Sequence, residues 1–115
     1  MKKQYFINAN IIDPHNSLNE NGGLIIDELG KIEAIGKKVN NNNIPSREKP
    51  IDLNGKYIFP GIVDMRVFVG EPGYEYKENF RTLSNAALSG GVTSVVTMPN
   101  TDPIIDNVSI VDFLK

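Results

Sequence analysis

The pattern of the chain changes at Pro60-Gly61, and the residues beyond that point leave little freedom in the fold. Ile62 to Val69 is a continuous apolar or β-branched run broken only by Asp64 and Arg66, the composition of a strand covered on both faces. Glu78 to Ser89 comes next, with Phe80, Leu83 and Ala87 at helical spacing and Gly90-Gly91 as a C-terminal stop. Val92 to Thr97 is β-branched almost throughout. Strand, helix and strand in that order predict a right-handed βαβ unit with parallel strands, because parallel neighbours need a long crossover. Met98 to Asn107 reads as the loop leaving the second strand, and Val108 to Lys115 as the opening of another helix.

Before Pro60 the pattern is one of short strands and turns. Tyr5 to Ile12 is mostly apolar or β-branched and stops at the turn-forming cluster Asp13-Pro14-His15-Asn16. Leu24 to Asp27 and Lys31 to Ile35 flank Glu28-Leu29-Gly30, which predicts a hairpin with Gly30 at positive φ. Gly36 to Lys49 is polar, contains Asn40 to Asn43, and reads as an exposed solvated loop. Ile51-Asp52-Leu53 and Lys56 to Phe59 around Asn54-Gly55 carry the strongest two-residue hairpin signal in the chain.

Composition narrows the functional classes. A net charge of −2 gives no broad positive field, and Lys2-Lys3 and Lys37-Lys38 are too short to track a phosphate backbone, so no nucleic-acid partner is expected. The absence of cysteine removes disulfides and thiolate metal sites. No apolar run approaches the ~20 residues that span a bilayer, and the start has no signal-peptide core, so neither membrane insertion nor secretion is expected and the cytoplasm is the default location.

Side chains alternate along a strand, so Asp64, Arg66, Phe68 and Gly70 are expected on one face and Met65, Val67 and Val69 on the other. Arg66 has no lone pair to donate and Phe68 offers only a ring face. Zinc at these positions would lack two nitrogen ligands and meet a fixed positive charge. His15, the one histidine, lies in an early turn and reads as a solvated turn residue.

Pro60-Gly61, Asp64, the run Glu71-Pro72-Gly73-Tyr74-Glu75-Tyr76-Lys77-Glu78 and the segment Met98-Pro99-Asn100 together resemble the dihydroorotases of the amidohydrolase superfamily. These are zinc enzymes of pyrimidine biosynthesis that open and close a cyclic amide. Hydantoinases and allantoinases share their barrel, and the two motifs Glu71 to Glu75 and Met98 to Asn100 favour the dihydroorotase branch. In that family the first segment reads Asp-x-His-x-His-x-Arg-Glu-Pro-Gly. Arg66 and Phe68 therefore occupy the metal-ligand positions, and Gly70 occupies the position of the substrate-binding arginine. Losing that arginine removes the planar fork that grips a carboxylate through two hydrogen bonds. Asn100 matches the family's substrate-binding asparagine.

The resemblance implies a mixed β and α/β fold: a small β-sandwich portion over 1–60, then over 61–115 strand 1, helix 1, strand 2 and the start of helix 2 of a (β/α)8 TIM-type barrel. A complete barrel takes about 250 residues, so the chain is expected to be an incomplete piece of one, with open sheet edges. The family's other ligands, a carboxylated lysine and further histidines, and its acid/base aspartate belong to later strands. No catalytic residue, metal or cofactor is therefore expected in this chain, although the family uses zinc.

The functional expectation is a dihydroorotase-like protein that is not a catalyst. Some members lacking the metal site serve as structural partners of aspartate transcarbamoylase, and that role is implied here, with the remainder of the barrel or another protomer as a further partner. Two alternatives stay open: an active zinc-dependent cyclic amide hydrolase, and a truncated fragment without function. Arg66 is expected to substitute electrostatically for the metal by pairing with Asp64 or with inward carboxylates of a longer chain.

Overall fold

Tyr5, Ile7, Ala9 and Ile11 are all buried, while the residues between them are more exposed. This period of two makes strand β1, Gln4–Asp13, the centre of a sheet. The computed structural model describes residues 1–114 and divides the chain between Pro60 and Gly61 into two compact units. In the first unit β2, Leu18–Ile26, pairs antiparallel with β1, and β3, Ile32–Gly36, pairs antiparallel with β2. Two short strands, β4 (Ile51–Asp52) and β5 (Tyr57–Ile58), lie on the other edge of β1. The expected β-sandwich portion is thus a single five-stranded sheet among the described residues.

The turn after β1 is built on Asp13. Its carboxylate accepts from the backbone N–H groups of His15 at 3.0 Å and Asn16 at 3.4 Å, and from the Asn16 amide at 2.6 Å. The next turn contains Gly30 at φ 79°, as expected, with the Asp27 carboxylate accepting from Leu29 and Lys31. β2 starts six residues earlier than its apolar stretch. Asn19 to Gly23 has little strand propensity, but register from the Asp13 turn pairs it with β1 regardless.

Asn54-Gly55 forms the expected turn, with both residues at positive φ, but not the expected hairpin. β4 and β5 do not pair with each other. Both run parallel to β1, through Phe6↔Ile51 and Ile7↔Asp52 and then Asn10↔Tyr57 and Ile11↔Ile58. The reason lies in β1, whose pairing shifts between Phe6 and Ala9 around Asn8 at φ 56°. Gly55 donates to the Asn8 carbonyl at 2.7 Å and the Asn10 amide donates to the Gly55 carbonyl at 2.5 Å, so the turn fills the irregularity and the chain continues in its original direction. The polar loop after β3 also departs from full exposure. Val39 is buried, and Asn40 caps a short 3-10 helix over Asn41–Asn43 by accepting from the Asn42 N–H at 3.0 Å.

In the second unit β6, Ile62–Val67, and β7, Val92–Thr97, pair in parallel on either side of helix α1, Phe80–Ser89, in the chain. Asn79 begins α1 with a capping box, its side chain accepting from the Thr82 N–H while the Thr82 hydroxyl accepts from the Asn79 N–H. Phe80, Leu83 and Ala87 face Val92 and Val95 across a shallow apolar depression. Helix α2, Val108–Phe113, follows. The expected helix ran to Lys115, which lies outside the described residues.

β6 differs from expectation in extent and in burial. It ends at Val67 rather than Val69, and Ile62, Val63 and Met65 are 47%, 55% and 68% exposed instead of covered on both faces. Two strands and one helix supply too little surface to cover a strand of this composition. The fully buried apolar residue of the region, Val69, sits beyond the strand in the following loop.

Candidate functional site

Because β6 and β7 are parallel, the loops that follow them leave from the same end of the sheet. The Met98 N–H donates to the Val67 carbonyl at 2.8 Å, which carries the pairing just past the strand ends. Beyond it the two loops interlock. The Asp102 N–H donates to the Pro72 carbonyl at 3.0 Å, and a Cβ on Gly73 would overlap the carbonyl of Asp102, so only glycine permits this approach. The peptide bonds Glu71-Pro72 and Asp102-Pro103 are both cis. Thr101 is buried, and its hydroxyl hydrogen bonds to the Pro103 carbonyl at 2.9 Å and the Pro99 carbonyl at 3.3 Å.

Acidic side chains of the first loop are committed to backbone groups. Glu71 accepts from the Phe80 N–H at 2.9 Å, at the start of α1, where a negative charge also meets the positive end of the helix dipole. Glu78 accepts from the Asn79 N–H and from the Thr82 hydroxyl. Glu75 accepts from the Gly73 N–H at 2.9 Å. That bond, followed by one from its own backbone N–H, holds the Glu75 carboxyl below the usual glutamate range.

The positions singled out in the sequence do not all lie on one strand. Asp64 and Arg66 are on β6, whereas Phe68 and Gly70 lie past its end, and Gly70 at φ 77° belongs to a turn in which its carbonyl accepts from the Tyr74 N–H at 2.6 Å. Strand alternation does not extend through a left-handed residue. The Phe68 ring lies 6.2 Å from that of Tyr74, which is 6.5 Å from Tyr76, and the Lys77 ammonium sits 5.0 Å and 5.5 Å from those two tyrosine rings.

The expected pairing of Arg66 with Asp64 is absent. The Asp64 carboxylate accepts from the Arg66 backbone N–H at 3.0 Å, and no ion pair to the exposed Arg66 guanidinium occurs among the described residues. An arginine in water gains little from such a pair, so nothing draws the two charges together. Asn100 is exposed, and its side chain makes no hydrogen bond among the described residues. His15 stands exposed in the turn after β1, in the other unit.

These residues do not fit a zinc ion. The one carboxylate on β6 is engaged by backbone, and the neighbouring positions carry a permanent cation and a phenyl ring, neither of which donates a lone pair. The arrangement is a pair of interlocked loops in which the exposed Asn100 side chain makes no hydrogen bond among the described residues. Sequence reading missed the roles of Glu71 and Thr101. The Asn79-x-x-Thr82 spacing signals a cap, but the Glu71 contact spans nine residues and has no local signature.

A family model described as Dihydro-orotase-like matches residues 55–115. A dihydroorotase of Wolbachia sp. subsp. Brugia malayi is 43% identical over 114 residues, covering 98% of this chain and 26% of the relative. Those of Syntrophus aciditrophicus and Chlorobaculum tepidum are each 42% identical over 104 residues, covering 90% and 89% of this chain and 24% and 23% of the relatives. The chain thus spans about a quarter of the length of the curated relatives it matches and corresponds to their N-terminal part. With the two loop motifs and the matched region in agreement, this chain belongs to the dihydroorotase-like family.

Proposed function

We propose that the chain is a non-catalytic dihydroorotase-like portion of the pyrimidine-biosynthesis machinery, acting in the cytoplasm as a structural partner of aspartate transcarbamoylase. In this reading β6, α1, β7 and α2 are the opening elements of a (β/α)8 barrel whose other strands are supplied by further chain or by another protomer. Exposed Ile62, Val63 and Met65 on β6 and Val95 and Val96 on β7 support this, since such strands are stable only when covered. The observation that carries the non-catalytic reading is the donor set: Arg66 and Phe68 occupy the metal-ligand positions, and the Asp64 carboxylate is turned to backbone. Asn100 is the one retained substrate contact, and a lone amide does not replace an arginine for a carboxylate.

The test is metal analysis of the native protein, purified at the length the cell makes it, together with size-exclusion chromatography beside aspartate transcarbamoylase. Less than about 0.1 zinc per chain and co-elution at micromolar concentration are expected. About one or two zinc per chain would overturn the non-catalytic reading, and separate elution would remove the partner.

A further inference from the structure

Two Asn-Gly pairs occur in the sequence, Asn21-Gly22 and Asn54-Gly55. Such a pair is chemically reactive, because glycine has no Cβ to shield its backbone nitrogen from the preceding carboxamide. Ring closure requires that nitrogen to rotate toward the asparagine Cγ, so the surrounding backbone governs the reaction. Asn21 is held on β2, where it pairs with Asn10 of β1 and its amide donates to the Asn10 Oδ1 at 2.5 Å. β2 lies between β1 and β3, and a Cβ on Gly22 would overlap the Gly36 carbonyl, so the backbone there is enclosed. Asn54 sits instead in a turn at φ 50°, with its side chain exposed and free of hydrogen bonds among the described residues. The Gly55 N–H donates to the Asn8 carbonyl at 2.7 Å, and the Asn10 amide donates to the Gly55 carbonyl at 2.5 Å. On either side of the turn are β4 and β5, two residues each and paired only with β1. Short edge strands of this kind open locally at low cost.

We propose that Asn54-Gly55 is a self-modification site, converting to aspartate and isoaspartate with loss of ammonia, while Asn21-Gly22 is protected by its place in the sheet. Local opening frees the Gly55 N–H from the Asn8 carbonyl, and hydroxide removes its proton to give water. The nitrogen attacks the Asn54 Cγ, the N–Cγ bond forms and the Cγ–Nδ2 bond breaks, and Nδ2 leaves as ammonia with a proton from water, which regenerates hydroxide. A water molecule then opens the cyclic imide, giving aspartate by cleavage at Cγ or isoaspartate by cleavage at the main-chain carbonyl. In isoaspartate the main chain runs through Cβ and Cγ, which inserts an extra atom before the Gly55 nitrogen. The Leu53 N–H to Ile7 carbonyl bond at 2.9 Å and the Gly55 N–H to Asn8 carbonyl bond at 2.7 Å flank that insertion and cannot both persist. Either product also places a second carboxylate near Asp52, which accepts from the Asn54 N–H at 2.8 Å, and like charges repel. The modification therefore loosens β4 and β5 from β1, and it is independent of the non-catalytic reading.

The experiment incubates the protein, purified at the length the cell makes it, in mildly alkaline buffer and follows both sites by peptide mass and by fragmentation that distinguishes isoaspartate. Asn54 should convert at least about tenfold faster than Asn21 in the folded protein, and the two rates should converge in denaturant. Asp52→Ala, which removes the acceptor of the Asn54 N–H and of the Asn8 amide, should speed conversion at Asn54 about 2–10-fold and leave Asn21 unchanged. Asn54→Gly, which suits the left-handed φ and has no amide, should keep the parent's unfolding midpoint on incubation. The parent's converted form, separated by its added negative charge, should unfold at a lower temperature. Equal or faster conversion at Asn21 in the folded protein, no acceleration by Asp52→Ala, or a converted form as stable as the parent would each overturn the proposal.

Discussion

The carboxylate of Asp64 accepts a hydrogen bond from the backbone N–H of Arg66 at 3.0 Å and leaves the guanidinium of the same residue without an ionic partner among the described residues. Arg66 is exposed, so its charge stays hydrated and is not a buried charge in need of compensation. Arg66→Met should change stability by no more than about 0.5 kcal/mol, as measured by urea unfolding. A loss of more than about 2 kcal/mol would reveal an ion pair that this structure lacks.

Thr101 is buried between two carbonyls, and its hydroxyl reaches Pro103 at 2.9 Å and Pro99 at 3.3 Å. Valine has the same shape and no donor. Thr101→Val should cost about 1–3 kcal/mol because it strands a buried acceptor in the loop that carries Asn100. An unchanged unfolding midpoint would show that water satisfies those carbonyls instead.

Helix α1 depends on Asn79, whose side chain accepts from the Thr82 N–H at 3.0 Å. Asn79→Ala should cost about 0.5–2 kcal/mol, with faster hydrogen exchange in the first turn of α1 as the local signature. Asn79→Ser, which keeps a capping oxygen, should recover most of the loss. Failure of serine to rescue would point to packing rather than capping.

Glu75 gives the first loop a sensitivity to acid. Its carboxyl is held below the ordinary value of 4.5, chiefly by the Gly73 N–H, so the folded state favours the ionised form. The resulting stabilisation is complete above that value and is lost as the pH falls through the lower folded one. In Glu75→Gln this part of the pH dependence should vanish. The comparison is the unfolding midpoint of each protein between about pH 6 and pH 3, and parallel curves would exclude Glu75 as the source.

Some of this was readable along the chain because it depends on near neighbours. Phe80, Leu83 and Ala87 at helical spacing gave α1 within two residues of its observed start, and Gly90-Gly91 marked its end. The β-branched run Val92 to Thr97 is β7 as read. Errors arose where a distant partner decides. Asn54-Gly55 has every local sign of a hairpin, yet the irregularity in β1 at Asn8 claims both flanking strands in parallel. Strand alternation did not extend to Gly70, because its left-handed φ and the hydrogen bond from Tyr74 place it in a turn beyond β6.

By itself the sequence determined the family, the order of strand, helix and strand after Pro60, and the absence of lone-pair donors at positions 66 and 68. Those are matters of residue identity and short-range periodicity, which no folding can alter. Only the three-dimensional structure decided that Asp64 accepts from the Arg66 backbone N–H instead of pairing with its guanidinium, that Gly73 and Asp102 lock two loops together, and that backbone atoms crowd the place of a Cβ on Gly70. Each of these is a contact between groups whose competition for hydrogen bonds and space is settled in three dimensions.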